Sequence, residues 1–224
     1  MLLKNTLWLA SLTASLVAGY PTENSEFAVQ LKMQTTQLDR LGSLDNNGKW
    51  FFNFTAQSSY VGDPGSVVTA NVATFPAVIG NGMSMALITL APCGMLPAHI
   101  HPRASNYVVG TKGSTRTYFF EENGARVVLG TLNPGVMTIF PQAALHTMFN
   151  DRCTESTLIS ALSSEDPGTL TFANSLFELP KDLISSAFGA DMSLLKNRIP
   201  ALASNAIAGT RDCLARCRRS GGRR

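Results

Sequence analysis

The sequence predicts an all-β barrel or sandwich with a helical extension at its C-terminal end, and three observations predict it. Short runs rich in Val, Ile, Thr and Phe recur along the middle of the chain. Clusters of Gly, Pro and Asn separate them, as in Glu122-Asn123-Gly124 and Asn133-Pro134-Gly135. At Leu179 the composition changes, and apolar residues take up helical spacing. With 224 residues, 45% hydrophobic and 15% charged, the chain suffices for one well-buried domain plus appendages.

Residues 1–19 read as a secretory signal peptide. Lys4 forms the positive start, Leu7 to Val17 is apolar with small residues, and Val17-Ala18-Gly19 offers a cleavage site. The apolar core is shorter than the ~20 residues a spanning helix needs, so the expectation is a secreted, extracellular protein with no membrane attachment once the signal is removed. Residues 20–48 form an N-terminal arm, polar with scattered apolar positions, which ends in the turn signal Asp45-Asn46-Asn47-Gly48. Trp50-Phe51-Phe52-Asn53-Phe54 is aromatic and strand-like, and Asn53-Phe54-Thr55 is a glycosylation sequon.

Residues 49–178 hold the expected barrel. Its strands are read at Ser66 to Thr74, Met83 to Leu90, Asn106 to Val109, Thr115 to Glu121 and Ala125 to Leu132, then at Val136 to Phe140, Leu145 to Phe149, Ser156 to Leu162 and Thr169 to Ala173. Residues 179–210 are read as helices: one opened by Pro180 with Asp182 in its first turn and closed by Gly189, a second over Met192 to Arg198, and a third over Ala201 to Ala208 or on to Cys217. Such an extension cannot bury its apolar face alone and must pack on its own barrel or on a neighbouring subunit.

Residues 211–224 form a basic, cysteine-containing tail with a net charge of +5. The whole chain carries +3, so without the tail and Lys4 the body is acidic, at −3. A tail of this length can touch acidic polysaccharide, but nothing here predicts nucleic-acid binding. The four cysteines, Cys93, Cys153, Cys213 and Cys217, imply two disulfides in an oxidising compartment, and their count leaves the connectivity open. Cys93 with Cys153 and Cys213 with Cys217 is the expected pairing if both histidine segments flank one pocket. The second bridge is awkward within a regular helix.

All three histidines fall between Cys93 and Asn150, as His99-Ile100-His101 and His146. Residues two apart on a strand project to one face, so His99 and His101 point together, and His146 completes a set from another strand. Neutral imidazole suits zinc, copper, iron and nickel, so a divalent transition metal is the expected cofactor. Leu96, Met137 and Met148 are expected to line the pocket around it, and the family resemblance set out below adds Ala86.

Laid out this way, the stretch resembles the two motifs of the cupin superfamily, and within it the secreted single-domain germin-like and spherulin-like proteins. The first motif resembles Gly94-Met-Leu-Pro-Ala-His99-Ile-His101-Pro-Arg-Ala-Ser-Asn106, closing at Gly113; the second resembles Gly135, Pro141, His146 and Asn150. The resemblance implies a jelly-roll, or double-stranded β-helix, barrel. It also implies an interior metal, manganese in that family, and assembly into a homo-oligomer. By position the ligands are His99, His101 and His146, and the place of the family's glutamate ligand is taken by Asn106. Ala143 stands where the pattern has glycine. Ala86 and Leu96 stand where the oxalate-oxidising members have asparagines.

Oxalate oxidation is therefore not expected. The expected function is a secreted metal-binding protein of wall, matrix or resting stage. Two readings remain beside it: a redox enzyme acting on superoxide, dioxygen or an organic acid, and a non-enzymatic barrel that binds a small ligand.

Overall fold

The computed structural model describes residues 25–200, 202 and 205–221. The residues read as a signal peptide, the first residues of the arm and the last three residues of the tail lie outside them. The arm is helical: α1 (Ser25–Met33) has Glu26 in its first turn and Lys32 in its last, which complements the helix dipole. α2 (Gln37–Ser43) is capped by Thr36, whose hydroxyl accepts from the Asp39 N–H. Leu31 and Leu44 pack with Ala77 and Ile79 in a small core of their own, flanked by Phe27 and Phe75.

The aromatic segment after it is not the expected strand. Asn46 caps a 3-10 turn at Asn47–Trp50 and Asn53 caps another at Phe54–Ala56, because each amide oxygen takes the backbone N–H groups that a strand would pair. Asn53 itself is exposed.

The barrel follows: β1 (Gly65–Ala70), β2 (Ser84–Leu90), β3 (Gly94–Ile100), β4 (Asn106–Lys112), β5 (Thr115–Phe120), β6 (Val128–Leu132), β7 (Met137–Phe140), β8 (Leu145–Phe149), β9 (Ser156–Leu162) and β10 (Leu170–Thr171). One antiparallel sheet runs β1-β2-β9-β4-β7 and the other β10-β3-β8-β5-β6, a jelly roll. β1 stops before the expected Thr74 because Asn71 turns back on Ala73 and Thr74 through its side-chain oxygen. Between the sheets lies one core, in which Leu90, Val108, Phe140, Met148 and Leu158 are almost wholly buried. Burying each such side chain contributes about 1.5–3 kcal/mol.

Strand alternation decides which residues face inward. In β7 Thr138 and Phe140 point in, so Met137 and Ile139 point out, and Met137 is 59% exposed. That corrects the placing of Met137 in the pocket: three residues from Phe140, it cannot share its face. β3 breaks the alternation on purpose, since a register shift between Leu96 and His99 lets both face inward.

The C-terminal segments comprise α3 (Phe172–Leu176), α4 (Lys181–Phe188), α5 (Ser193–Lys196), β11 (Ile207–Ala208) and α6 (Arg211–Gly221). α4 ends, as expected, on Gly189 in the left-handed conformation. The expected strand over Thr169 to Ala173 shrinks to β10, and α3 takes over. The third expected helix begins only at Arg211. Of its earlier part, Ala201, Ala203 and Ser204 lie outside the described residues, and Ile207 and Ala208 pair with Met95 and Gly94 of β3.

The disulfides join Cys93 to Cys213 and Cys153 to Cys217, not the expected pairs. Cys213 and Cys217 lie four apart in α6, one turn up the same face, so both sulfurs turn toward the barrel. The helix is thereby stapled to the residue before β3 and to the loop before β9, with Cα separations of 5.8 and 5.1 Å. Among the described residues no helix is long and apolar enough to cross a membrane.

Candidate metal centre

The centre is built by adjacent strands of one sheet. His99 and His146 are direct cross-strand partners on β3 and β8, and His101 follows β3 at the same parity as His99. Their rings cluster, with centroids 4.2 Å apart for His99 and His146, 5.2 Å for His99 and His101, and 5.3 Å for His101 and His146. One ring nitrogen from each lies within 4.8 Å of the others.

Every imidazole is held by its other edge. Nδ1 of His99 bonds the Pro97 carbonyl at 2.7 Å, Nδ1 of His101 the Gly168 carbonyl at 2.7 Å, and Nδ1 of His146 the Ala144 carbonyl at 2.9 Å. A carbonyl only accepts, so each Nδ1 carries the proton and each Nε2 keeps its lone pair. This is the outer support that metal-binding histidines use.

Burial drives all three pKa values down, because a charged ring there loses its hydration. His99 falls to about 4, with the neighbouring charge of His101 adding to the effect. His146 falls to about 2, with His99 the next cause, and His101 is lowered too. The rings are therefore neutral donors at neutral pH. His146 Nε2 is buried with no hydrogen-bond partner, an orphaned acceptor aimed at the cluster. Three convergent imidazole lone pairs, one of them otherwise unsatisfied, fit a divalent transition metal.

The supports are specific. Phe140 stacks on His146 with ring planes 14° apart and centroids 4.2 Å apart. Gly168 sits at φ +66, and a Cβ there would stand 2.8 Å from Arg103 Nη2. Glycine is what lets this loop lie against Arg103 and turn its carbonyl to His101. Arg103 in turn holds the loop through Nε to the Asp166 carbonyl and Nη2 to the Asp166 carboxylate. Ala143, where the family pattern has glycine, lies at φ +63 and donates its N–H to the His101 carbonyl. The positive φ explains that glycine, and alanine bears the local strain here.

A cavity of about 600 Å³ opens on the centre. Of the residues expected to line it, Ala86, Leu96 and Met148 do, together with Asn106. Asn106 is almost fully buried, and its Oδ1 accepts the Ser160 hydroxyl at 2.6 Å. Ser160 was not read from the sequence, although it occupies an inward position between Leu158 and Leu162, where a polar residue is out of place. Leu202 and Asn205, from the C-terminal segment, also reach the cavity and carry no such signal. Asn150, fully buried, is structural: its Nδ2 donates to the carbonyls of Leu90, Ala91 and Thr154.

A family model described as Cupin matches residues 52–194. The chain belongs to the cupin family. Within it this cupin is of the germin and spherulin type. It is 32% identical over 195 residues to Spherulin-1A of Physarum polycephalum, covering 86% of this chain and 79% of the relative. To germin-like protein subfamily 2 member 3 of Arabidopsis thaliana it is 33% identical over 154 residues, covering 65% and 70%. Among solved structures, an oxalate oxidase superposes with a TM-score of 0.64 at 24% identity, over 70% of this chain and 83% of that one, a likeness of fold.

Proposed function

We infer that this cupin is a secreted metal-binding protein whose centre is formed by His99, His101 and His146, with a role in a wall, matrix or resting stage. The observation that carries it is the convergence of three neutral Nε2 atoms, each with its Nδ1 proton committed to a carbonyl and one with no other partner. Manganese is the metal by family resemblance, and copper, iron and zinc suit the same donors. Such a metal, when bound, supplies Lewis acidity at the floor of the cavity.

The chain's own residues orient the rings and leave His99 and His101 facing the cavity. Among the described residues no carboxylate approaches the histidine cluster closely enough to act as a further ligand, which separates this site from an oxalate-handling one. Two disulfides, the exposed sequon at Asn53 and the signal-like residues 1–19 support secretion, from which the mature chain starts near Tyr20. A homo-oligomer is supported by an outward apolar row in register, Met85, Ala161, Tyr107 and Ile139, across β2, β9, β4 and β7, and by exposed Leu183 and Phe188 of α4. The basic tail remains a contact for acidic polysaccharide.

The test is metal analysis of untagged secreted protein beside His146→Ala, followed by superoxide and oxalate assays. About one equivalent in the parent, lost in the variant, supports the reading; less than about a tenth of an equivalent in the parent overturns it. Superoxide turnover by the loaded protein would move the assignment to the redox reading.

A further inference from the structure

The two disulfides that hold α6 are in contact with each other. Cys93 Sγ stands 3.5 Å from Cys217 Sγ, a sulfur of the other disulfide. The sulfurs of Cys93, Cys213 and Cys217 all lie within 4.8 Å of one another. A staple needs only its own two sulfurs, so this proximity adds nothing to the hold on α6. A disulfide bond is about 2.0 Å long, so a small side-chain adjustment would bring Cys217 onto Cys93.

The two disulfides differ in access. Cys93 is fully buried and Cys213 is 2% exposed, whereas Cys153 is exposed and Cys217 half-buried. A thiol from solvent therefore reaches the Cys153 sulfur and is kept from the Cys93–Cys213 bond. The local charge suits a thiolate. Arg216 and Arg218 flank Cys217 in α6, and Arg152 precedes Cys153. The acids of the loop are matched, Asp151 with Arg116 and Arg152 and Glu155 with Lys112, and Asp212 is exposed. Arg216 Nη2 also stands 3.5 Å from Cys213 Sγ, so a cation faces the sulfur that leaves when the buried bond opens.

We propose that Cys153–Cys217 is a thiol–disulfide exchange site for a dithiol reductant, and that Cys217 relays the exchange to the buried Cys93–Cys213 bond. The reductant's thiolate attacks Cys153 Sγ, and the electron pair of the broken Cys153–Cys217 bond leaves on Cys217 as thiolate. That thiolate attacks Cys93 Sγ. A Cys93–Cys217 bond forms, and the pair of the broken Cys93–Cys213 bond leaves on Cys213. The reductant's second thiol then displaces Cys153 from the mixed disulfide. Two electrons and two protons pass from the dithiol to the protein: the dithiol departs as its own disulfide, and Cys153 and Cys213 end as thiols. The exchange moves the attachment of α6 to Cys93 one helical turn along, from Cys213 to Cys217, and frees the loop before β9 from the helix. It uses no metal and stands apart from the histidine centre.

The experiment is reduction of the folded, full secreted chain by limiting dithiothreitol, with acid quenching, N-ethylmaleimide labelling and non-reducing peptide mapping over time. In the parent, a Cys93–Cys217 peptide is expected, with Cys153 and Cys213 labelled. In Cys153→Ser with Cys217→Ser, the Cys93–Cys213 bond is expected to open at least about tenfold more slowly than in the parent, because the relaying thiolate is gone. Mere loss of the outer staple would loosen α6 and open that bond faster, so an equal or faster rate overturns the proposal. A reduced parent in which label enters only Cys153 and Cys217 overturns it too. Cys153→Ser alone leaves Cys217 as a thiol and is expected to yield the Cys93–Cys217 isomer with no reductant added; a variant holding only Cys93–Cys213 contradicts the relay.

Discussion

The barrel and the segment from Lys181 to Lys196 come from one chain but reach order in different ways. In the barrel, alternate residues of β2, β4, β8 and β9 are driven inward, and almost every inward side chain is buried. α4 and α5 keep helical geometry, but Ile184 is their one buried residue, and Leu183, Phe188 and Leu194 are at least half exposed. α6 stands between these extremes: it is short and rich in arginine, yet two disulfides pin it. Burial holds the first region, covalent bonds hold α6, and the helices between them leave apolar side chains exposed.

Removing both staples with Cys213→Ser and Cys217→Ser tests the covalent half of that contrast and should have the largest effect. Closing loops of 64 and 120 residues is worth about 4 kcal/mol each in the chain-entropy account, less in sum because the loops overlap. The urea midpoint is expected to drop by a corresponding amount. Peptide mapping that recovered a Cys213–Cys217 link would contradict the geometry.

Phe140→Ala breaks the burial half. It removes a wholly buried ring and the stack on His146, and a loss of about 3–5 kcal/mol in unfolding free energy is expected, with weaker metal uptake. A metal affinity equal to the parent's would show that the stack does not position the imidazole.

A smaller effect comes from acid. The folded pKa of His99, about 4, lies below the ordinary 6.5, so as pH falls the unfolded chain protonates first. The metal-free protein should lose stability progressively from about pH 6.5 downward and level off only below the folded value. A urea midpoint unchanged between about pH 7 and pH 5 would mean that these rings are not held neutral.

The smallest effect on stability is expected from Leu183→Ser with Phe188→Ser, within about 0.5 kcal/mol because neither is buried. Light scattering should nevertheless shift from an oligomer to one chain. A parent already monomeric at micromolar concentration would remove the partner surface from the account.

What was legible in the sequence follows the same division. The strands and the histidine triad could be read because both rest on local parity: His99 and His101 two apart, His146 and Met148 two apart on the next strand. Met137 shows the same rule from the other side, since it stands three residues from the inward Phe140 and therefore faces out. The disulfide pairing and the Asn106–Ser160 bond were not legible, since they join residues 54 to 120 apart, and only the folded register brings them together. The aromatic run at Trp50 failed for a local reason, because asparagine side chains outcompeted strand pairing for the backbone.

X-ray absorption at the metal edge of the secreted, metal-loaded protein tests the three-histidine centre most directly. The account predicts a first shell with three imidazole nitrogens, completed by light oxygen donors from solvent or ligand and unchanged in Asn106→Leu. A sulfur shell, or a shell without imidazole, would contradict it.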